Sequence, residues 1–236
     1  MRIGFFGDSY AVGMEPNTWQ TILCEKFGTT PDRCVNMAAG ASPLYYSFKN
    51  IVENRQPLDL IIVTVPTNFR YPKRIFLDSL NQHRWLPNIN SLENIQKLCD
   101  DQDAEKLERM KNWFIYNPDD FAADMHELML QKLEAIPNLY LFPSFEISFR
   151  QERHWPLPQP FSLSHLTWID RQSHGIPEKE NHLYEENMNV RNHFSDEMHP
   201  YVATLIYNWI KHKSWRLPDQ IVTQKPKEYY WTKRHE

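Results

Sequence analysis

The chain opens with a short apolar run, Arg2 to Phe6, bounded by Gly7, which predicts a buried strand. Trp19, Ile22, Leu23 and Phe27 then recur at helical spacing, with Asn17 expected as N-cap, Gln20 at N3 and Gly28 as the C-terminal stop. Cys34 to Met37 reads as a second strand. Ser42-Pro43, a capping residue followed by proline, predicts the start of a helix whose apolar face is Leu44, Phe48, Ile51 and Val52. The run Leu58 to Val65 is continuous, short and rich in β-branched residues, the pattern of a central parallel strand covered on both faces. The order β-α-β-α-β demands crossover connections and a parallel sheet between helix layers.

The pattern then changes. Residues 70–117 are polar, contain Pro72 and Pro87, and show helical spacing at Leu92, Ile95 and Leu98 and at Leu107, Met110 and Phe114. They are expected to form an insertion of short helices, far longer than an ordinary βα connection, at the carboxyl end of the sheet. A helix over about 119–135 and a fourth strand over 138–142 follow. Residues 150–190 read as loop, with Trp155, His165, Trp168, His174 and His182 available to line a pocket or to anchor the loop. The last helix starts near Pro200, with Val202, Leu205, Ile206 and Trp209 as its buried stripe. Residues 1–213 are thus expected to form one domain, and 214–236 a C-terminal extension.

Composition narrows the class. The 236 residues are enough for one large core, and 26 basic against 30 acidic residues leave a net charge of −4, without the basic excess that a nucleic-acid groove requires. No apolar run is long enough to span a membrane. The N-terminus turns polar too early for a signal peptide, so a cytoplasmic location is expected, with Cys24, Cys34 and Cys99 as reduced thiols. Glycine is scarce: 6 occur where about 17 are expected at average usage. Three of them, Gly4, Gly7 and Gly13, fall in the first thirteen residues, and Gly7 opens the first turn of the chain.

That turn carries the first candidate for chemistry. Gly7-Asp8-Ser9 follows the first strand, and in open α/β sheets ligands bind outside the carboxyl ends of the strands. A serine hydroxyl there needs a positioned base to act as nucleophile; otherwise Asp8 and Ser9 merely satisfy a tight turn. The second candidate is Asp196-Glu197-Met198-His199, in which a carboxylate three residues before a histidine can orient its imidazole. Gly40 before the second helix and Asn68 after the third strand could add their amides to that of Ser9 around a developing oxyanion, each such donor being worth about 3 kcal/mol in a transition state. His193, Asp196 and His199 also recur every third residue, a metal-like spacing, but Pro200 speaks against one helix through all three. Gly4-x-x-Gly7 is no dinucleotide fingerprint and no Walker lysine is present, so neither a metal nor a cofactor is expected.

Taken together, Gly7-Asp8-Ser9 with Gly13, Gly40, Asn68, and Asp196 with His199, in this order and each after an expected strand, resemble the SGNH hydrolases, the GDSL esterase and lipase superfamily. The resemblance runs through about fifteen residues spread over the chain. It implies a three-layer α/β/α sandwich of flavodoxin-like type with a mostly parallel sheet. It also implies Ser9 as nucleophile, His199 as base, Asp196 as its orienting acid, and Ser9, Gly40 and Asn68 as oxyanion donors. The implied activity is hydrolysis of a small acyl ester, with an O-acetyl group on a carbohydrate as one form of substrate. The family's Gly-x-Asn-Asp block is here Pro66-Thr67-Asn68-Phe69, and its motif leucine is Tyr10. The alternative is a non-catalytic binding or assembly module on the same sandwich, and the discriminating expectation is that His199 faces Ser9. The extension interleaves Trp215, Tyr229, Tyr230 and Trp231 with basic residues. Ordering it costs on the order of 1–2 kcal/mol per residue. Burial of its aromatics, across its own domain or onto a neighbouring subunit in a homo-oligomer, is the expected compensation.

Overall fold

In a computed structural model of the chain, the described residues are 1–54, 56–67, 70, 74–78, 80–85, 92, 95–99, 101–116, 119–145, 162–174, 190–191 and 193–213. The strands are β1 (Ile3–Phe6), β2 (Val35–Asn36), β3 (Leu60–Val65), β4 (Arg74–Leu77), β5 (Gln82–Trp85), β6 (Leu139–Pro143), β7 (Val190–Arg191) and β8 (Phe194–Ser195). The α-helices are α1 (Trp19–Lys26), α2 (Leu44–Glu53), α3 (Ala104–Tyr116), α4 (Asp119–Glu134), α5 (Leu163–Ser173) and α6 (His199–His212). None of the described helices is long and apolar enough to cross a membrane.

Four parallel strands form the central sheet in the order β2-β1-β3-β6. The alternation of side chains along each strand sorts two cores onto its two faces. Ile3 and Phe5 of β1 and Leu60 and Ile62 of β3 join Trp19 and Leu23 of α1, Leu166 and Ile169 of α5, and Val202 and Ile206 of α6. Phe6, Ile61, Val63 and Val65 face the other way, against Leu44 and Ile51 of α2 and Leu130 and Leu133 of α4. Helices therefore cover both faces, which is why every residue of β3 is buried. The connections leaving β1 and β3 diverge to opposite edges of the sheet, and between their carboxyl ends lies the position at which open α/β sheets form a ligand crevice.

Several local expectations change. Thr18 rather than Asn17 is the N-cap of α1, and Asn17 instead takes a left-handed φ of 67°. Gly28 does close α1: its φ is 67°, its N–H donates to Glu25 O, and Thr29 N–H donates to Cys24 O. Ser42 does not cap α2; its hydroxyl donates to Gly7 O at 3.0 Å. The stretch read as loop between 150 and 190 contains α5, capped by Ser162, whose Oγ accepts the His165 N–H. Its buried stripe, Leu163, Leu166 and Ile169, is too narrow to stand out among polar neighbours, and Trp168 packs at its edge.

The insertion is mixed rather than helical. It begins with the antiparallel pair β4–β5 and continues to α3. Leu77, Leu92, Leu107, Met110 and Phe114 form a third small core together with Ala122, at the start of α4. Asp103 fastens hairpin to helix, accepting the Asp78 N–H at 3.0 Å and Lys106 Nζ at 3.2 Å. Because α4 ends just before β6 begins, its first turn lies toward the carboxyl end of the sheet, and the third core sits on that side. Segment 214–236 lies outside the described residues, and with it the expected docking of its aromatics.

Candidate active site

The loop after β1 is built around Gly7. Its φ is 132°, and a Cβ there would stand 2.0 Å from Thr64 Oγ1 and 2.5 Å from Thr64 O. Only glycine lets β1 leave the sheet this close to β3. The Gly7 carbonyl accepts from Ala39 N–H and from Ser42 Oγ, so the turn carrying Gly40 is tied directly to the turn carrying Ser9.

Asp8 is fully buried and organises the loop around it. Its Oδ1 accepts the Tyr10 N–H at 3.3 Å, Thr64 Oγ1 at 3.1 Å and Ser144 Oγ at 2.8 Å. Thr64 Oγ1 in turn accepts the Asp8 N–H, a reciprocal pair across β1 and β3. Arg70 approaches from beyond β3: Nη1 lies 3.5 Å from Asp8 Oδ2 and donates to Ser42 O at 3.2 Å, and the guanidinium lies over the Phe145 ring. One partly buried cation thus joins the loops following β1, β2, β3 and β6. Burial pushes the Asp8 carboxyl above its ordinary range against the pull of Arg70, and burial lowers Arg70 in the same way. The desolvation of both groups outweighs their attraction at this separation. With its oxygens engaged and no solvent access, Asp8 is a structural acid that caps the turn Ser9–Ala11, not a base.

The buried carboxyl gives stability a pH signature. A carboxyl raised on folding contributes stability that is complete below its unfolded value, near the ordinary 3.8, and declines as the pH climbs through the raised folded value. Wild type is therefore expected to lose stability relative to Asp8→Asn as the pH rises above 3.8. Urea midpoints of the two proteins across the acid range check this, and parallel profiles would refute it.

Ser9 stands at the mouth of the crevice, half-buried, and its Oγ lies 2.7 Å from Nε2 of His193. His193 occupies the tight turn of the β7–β8 hairpin, where Arg191 pairs with Phe194, and has a left-handed φ of 69°. Its ring packs against Tyr10 at a tilt of 44° with centroids 4.6 Å apart, and Tyr10 also meets Phe145 and Phe194. Tyr10 thus forms the floor on which the imidazole rests. Burial pushes the Tyr10 phenol up to about 12, so it stays neutral beneath the imidazole.

The expectation that His199 faces Ser9 is overturned. His199 is fully buried at the first turn of α6, its ring edge-on to Phe194, and its Nδ1 accepts the Trp19 N–H at 3.1 Å. That bond leaves the ring proton on Nε2, the opposite tautomer from a base whose Nδ1–H is held by a carboxylate. Asp196 is exposed in the turn before α6, and the position expected for its carboxylate at His199 Nδ1 is taken by the Trp19 N–H. The buried acid in this region is Asp170 of α5, which accepts the Ser195 N–H at 2.7 Å and Ser195 Oγ at 2.8 Å and so pins the β7–β8 hairpin to α5. The metal-like spacing of His193, Asp196 and His199 dissolves as well, since the two imidazoles serve Ser9 and Trp19 respectively. Gly40 lies exposed on its turn beside the Ser9 loop, and Asn68 is outside the described residues.

His193, Arg70, Thr64 and Ser144 were not anticipated for these roles. His193 lies in a hairpin turn just before α6, and no motif in the sequence ties it to Ser9. No protein-family model matches the chain, and comparison with curated proteins finds no significant relative.

Proposed function

We propose that the protein is a serine hydrolase of SGNH-like type that cleaves a small acyl ester, with Ser9 as nucleophile and His193 as general base. The observation that carries the reading is the 2.7 Å approach of His193 Nε2 to Ser9 Oγ at the carboxyl end of a parallel sheet. In the proposed reaction Ser9 Oγ attacks the ester carbonyl while Nε2 of His193 takes its proton. The backbone amides of Ser9 and Gly40 receive the developing oxyanion. Collapse breaks the bond to the alcohol, which leaves with the proton from His193. Water, deprotonated by the same imidazole, then releases the acid and restores Ser9. The Tyr10 ring packed against it limits rotation of the imidazole, and the hairpin anchored by Asp170 holds its backbone. The insertion on the carboxyl side of the sheet is the element proposed to select substrates by shape.

The test is a stoichiometric one. Purified protein is offered p-nitrophenyl acetate and, separately, an alkyl fluorophosphonate. Turnover of the ester, with the phosphonyl group mapped to Ser9 by peptide mass analysis, is the expected result. No turnover and no adduct on Ser9 would reject the hydrolase and leave the site as a binding or assembly surface.

A further inference from the structure

Away from this site, Cys24 and Cys34 bring their sulfurs to 2.9 Å. That is about 0.9 Å longer than a disulfide bond and inside the ordinary contact distance of two thiols. The elements enforce the approach. Cys24 lies on the buried face of α1, and α1 ends at Gly28, which turns the chain back sharply. The short turn Pro31–Arg33 then delivers Cys34 to the position just before β2. Cys24 is fully buried, whereas Cys34 is half-buried and also donates to Thr30 O at 3.4 Å. One sulfur is thus within reach of a small solute and the other is held behind it.

We propose that Cys24 and Cys34 form an oxidisable pair, with Cys34 the thiol attacked by a peroxide and Cys24 the thiol that resolves it into an intramolecular disulfide. The chemistry balances with hydrogen peroxide as the oxidant. The Cys34 thiolate attacks one peroxide oxygen, the O–O bond breaks, hydroxide leaves, and Cys34 becomes a sulfenic acid. The Cys24 sulfur then displaces the sulfenic hydroxyl, its own proton leaving with that oxygen as water, and the S–S bond forms. Polarisation within the pair agrees with these roles. The hydrogen bond from Cys24, with support from the Ile3 N–H, draws the Cys34 thiol down, whereas the same bond and burial push Cys24 up. The attacking sulfur is the one more readily ionised. Cys99, in the third core, has no part in this pair.

The experiment uses the full chain. Reduced protein is treated with hydrogen peroxide, quenched with iodoacetamide, and examined by thiol titration in denaturant and by non-reducing peptide mapping. Titratable thiols are expected to fall from three to one, with the Cys24 and Cys34 peptides joined and Cys99 alkylated. The oxidised form should melt roughly 5–10 °C higher, because the short closed loop restricts the unfolded chain. Cys34→Ser, altered on the accessible side, should keep both remaining thiols under the same dose, whereas Cys99→Ser should still form the cross-link. Three thiols surviving, Cys34 advancing to a sulfinic acid with no cross-link, or joining through Cys99 would each overturn the proposal.

Discussion

Replacing His193 with alanine is expected to lower kcat/KM for an acyl ester by about 10³-fold or more, and Ser9→Ala by at least as much, with unchanged urea midpoints. Both side chains lie at the half-buried mouth of the crevice, where truncation opens no core cavity. His199→Ala should do the reverse. It deletes a fully buried ring and strips the Trp19 N–H of its acceptor, so it should cost about 2–4 kcal/mol of stability. Under conditions where the variant is folded, its kcat should stay within a few-fold of wild type. Measuring kcat and unfolding free energy for all three variants separates the two histidines. If His199→Ala lost turnover and His193→Ala kept it, the D-x-x-H spacing would be the correct guide and the Ser9–His193 contact would have no catalytic meaning.

The second large effect is structural. Gly7→Ala places a Cβ at 2.0 Å from Thr64 Oγ1, 2.5 Å from Thr64 O and 2.8 Å from Thr64 N, on a backbone with φ of 132°. Two of these three contacts are with the main chain of the central strand, which the β1–β3 and β3–β6 ladders hold on both sides. Neither partner can yield by a rotamer change, so the substitution should cost on the order of 4 kcal/mol or more. Adding Thr64→Ala removes only the side-chain clash and takes a donor from Asp8, so the double variant should be no more stable than Gly7→Ala alone. Chemical denaturation of both variants checks this, and recovery of wild-type stability in the double variant would show that the backbone contacts do not carry the penalty. By contrast, a Cβ on Gly40 meets nothing within 4 Å, and Gly40→Ala should leave stability nearly unchanged.

Local patterns decided the sheet. The apolar run through β3, the Gly28 stop of α1 and the stripe of α6 each depend on neighbours within one or two turns, and each formed where expected. From these came the parallel sheet, its helices on both faces, and the prominence of Gly7-Asp8-Ser9 at a strand end. What failed locally is also informative. Ser42 reads as a cap until Gly7, 35 residues earlier, competes for its hydroxyl. The insertion reads as helical because its first part pairs with itself as a hairpin, a relation that periodicity within a single window does not show.

The partner of Ser9 belonged to tertiary structure alone. His193 and His199 both lie beside α6 in the sequence, and spacing favoured the second, since an Asp three residues before a His can in principle hold it. What separates them is where the chain turns. A two-residue hairpin puts His193 in a left-handed turn against Tyr10 and over the crevice, while the first turn of α6 carries His199 into the core, to an amide 180 residues away. The same holds for Asp8 and Arg70, whose approach rests on four loops converging at the carboxyl end of the sheet. A short-range pattern reports the conformational preference of a segment. The identity of the imidazole beside a serine is set by which long-range hydrogen bonds and ring contacts each histidine satisfies once the core has closed.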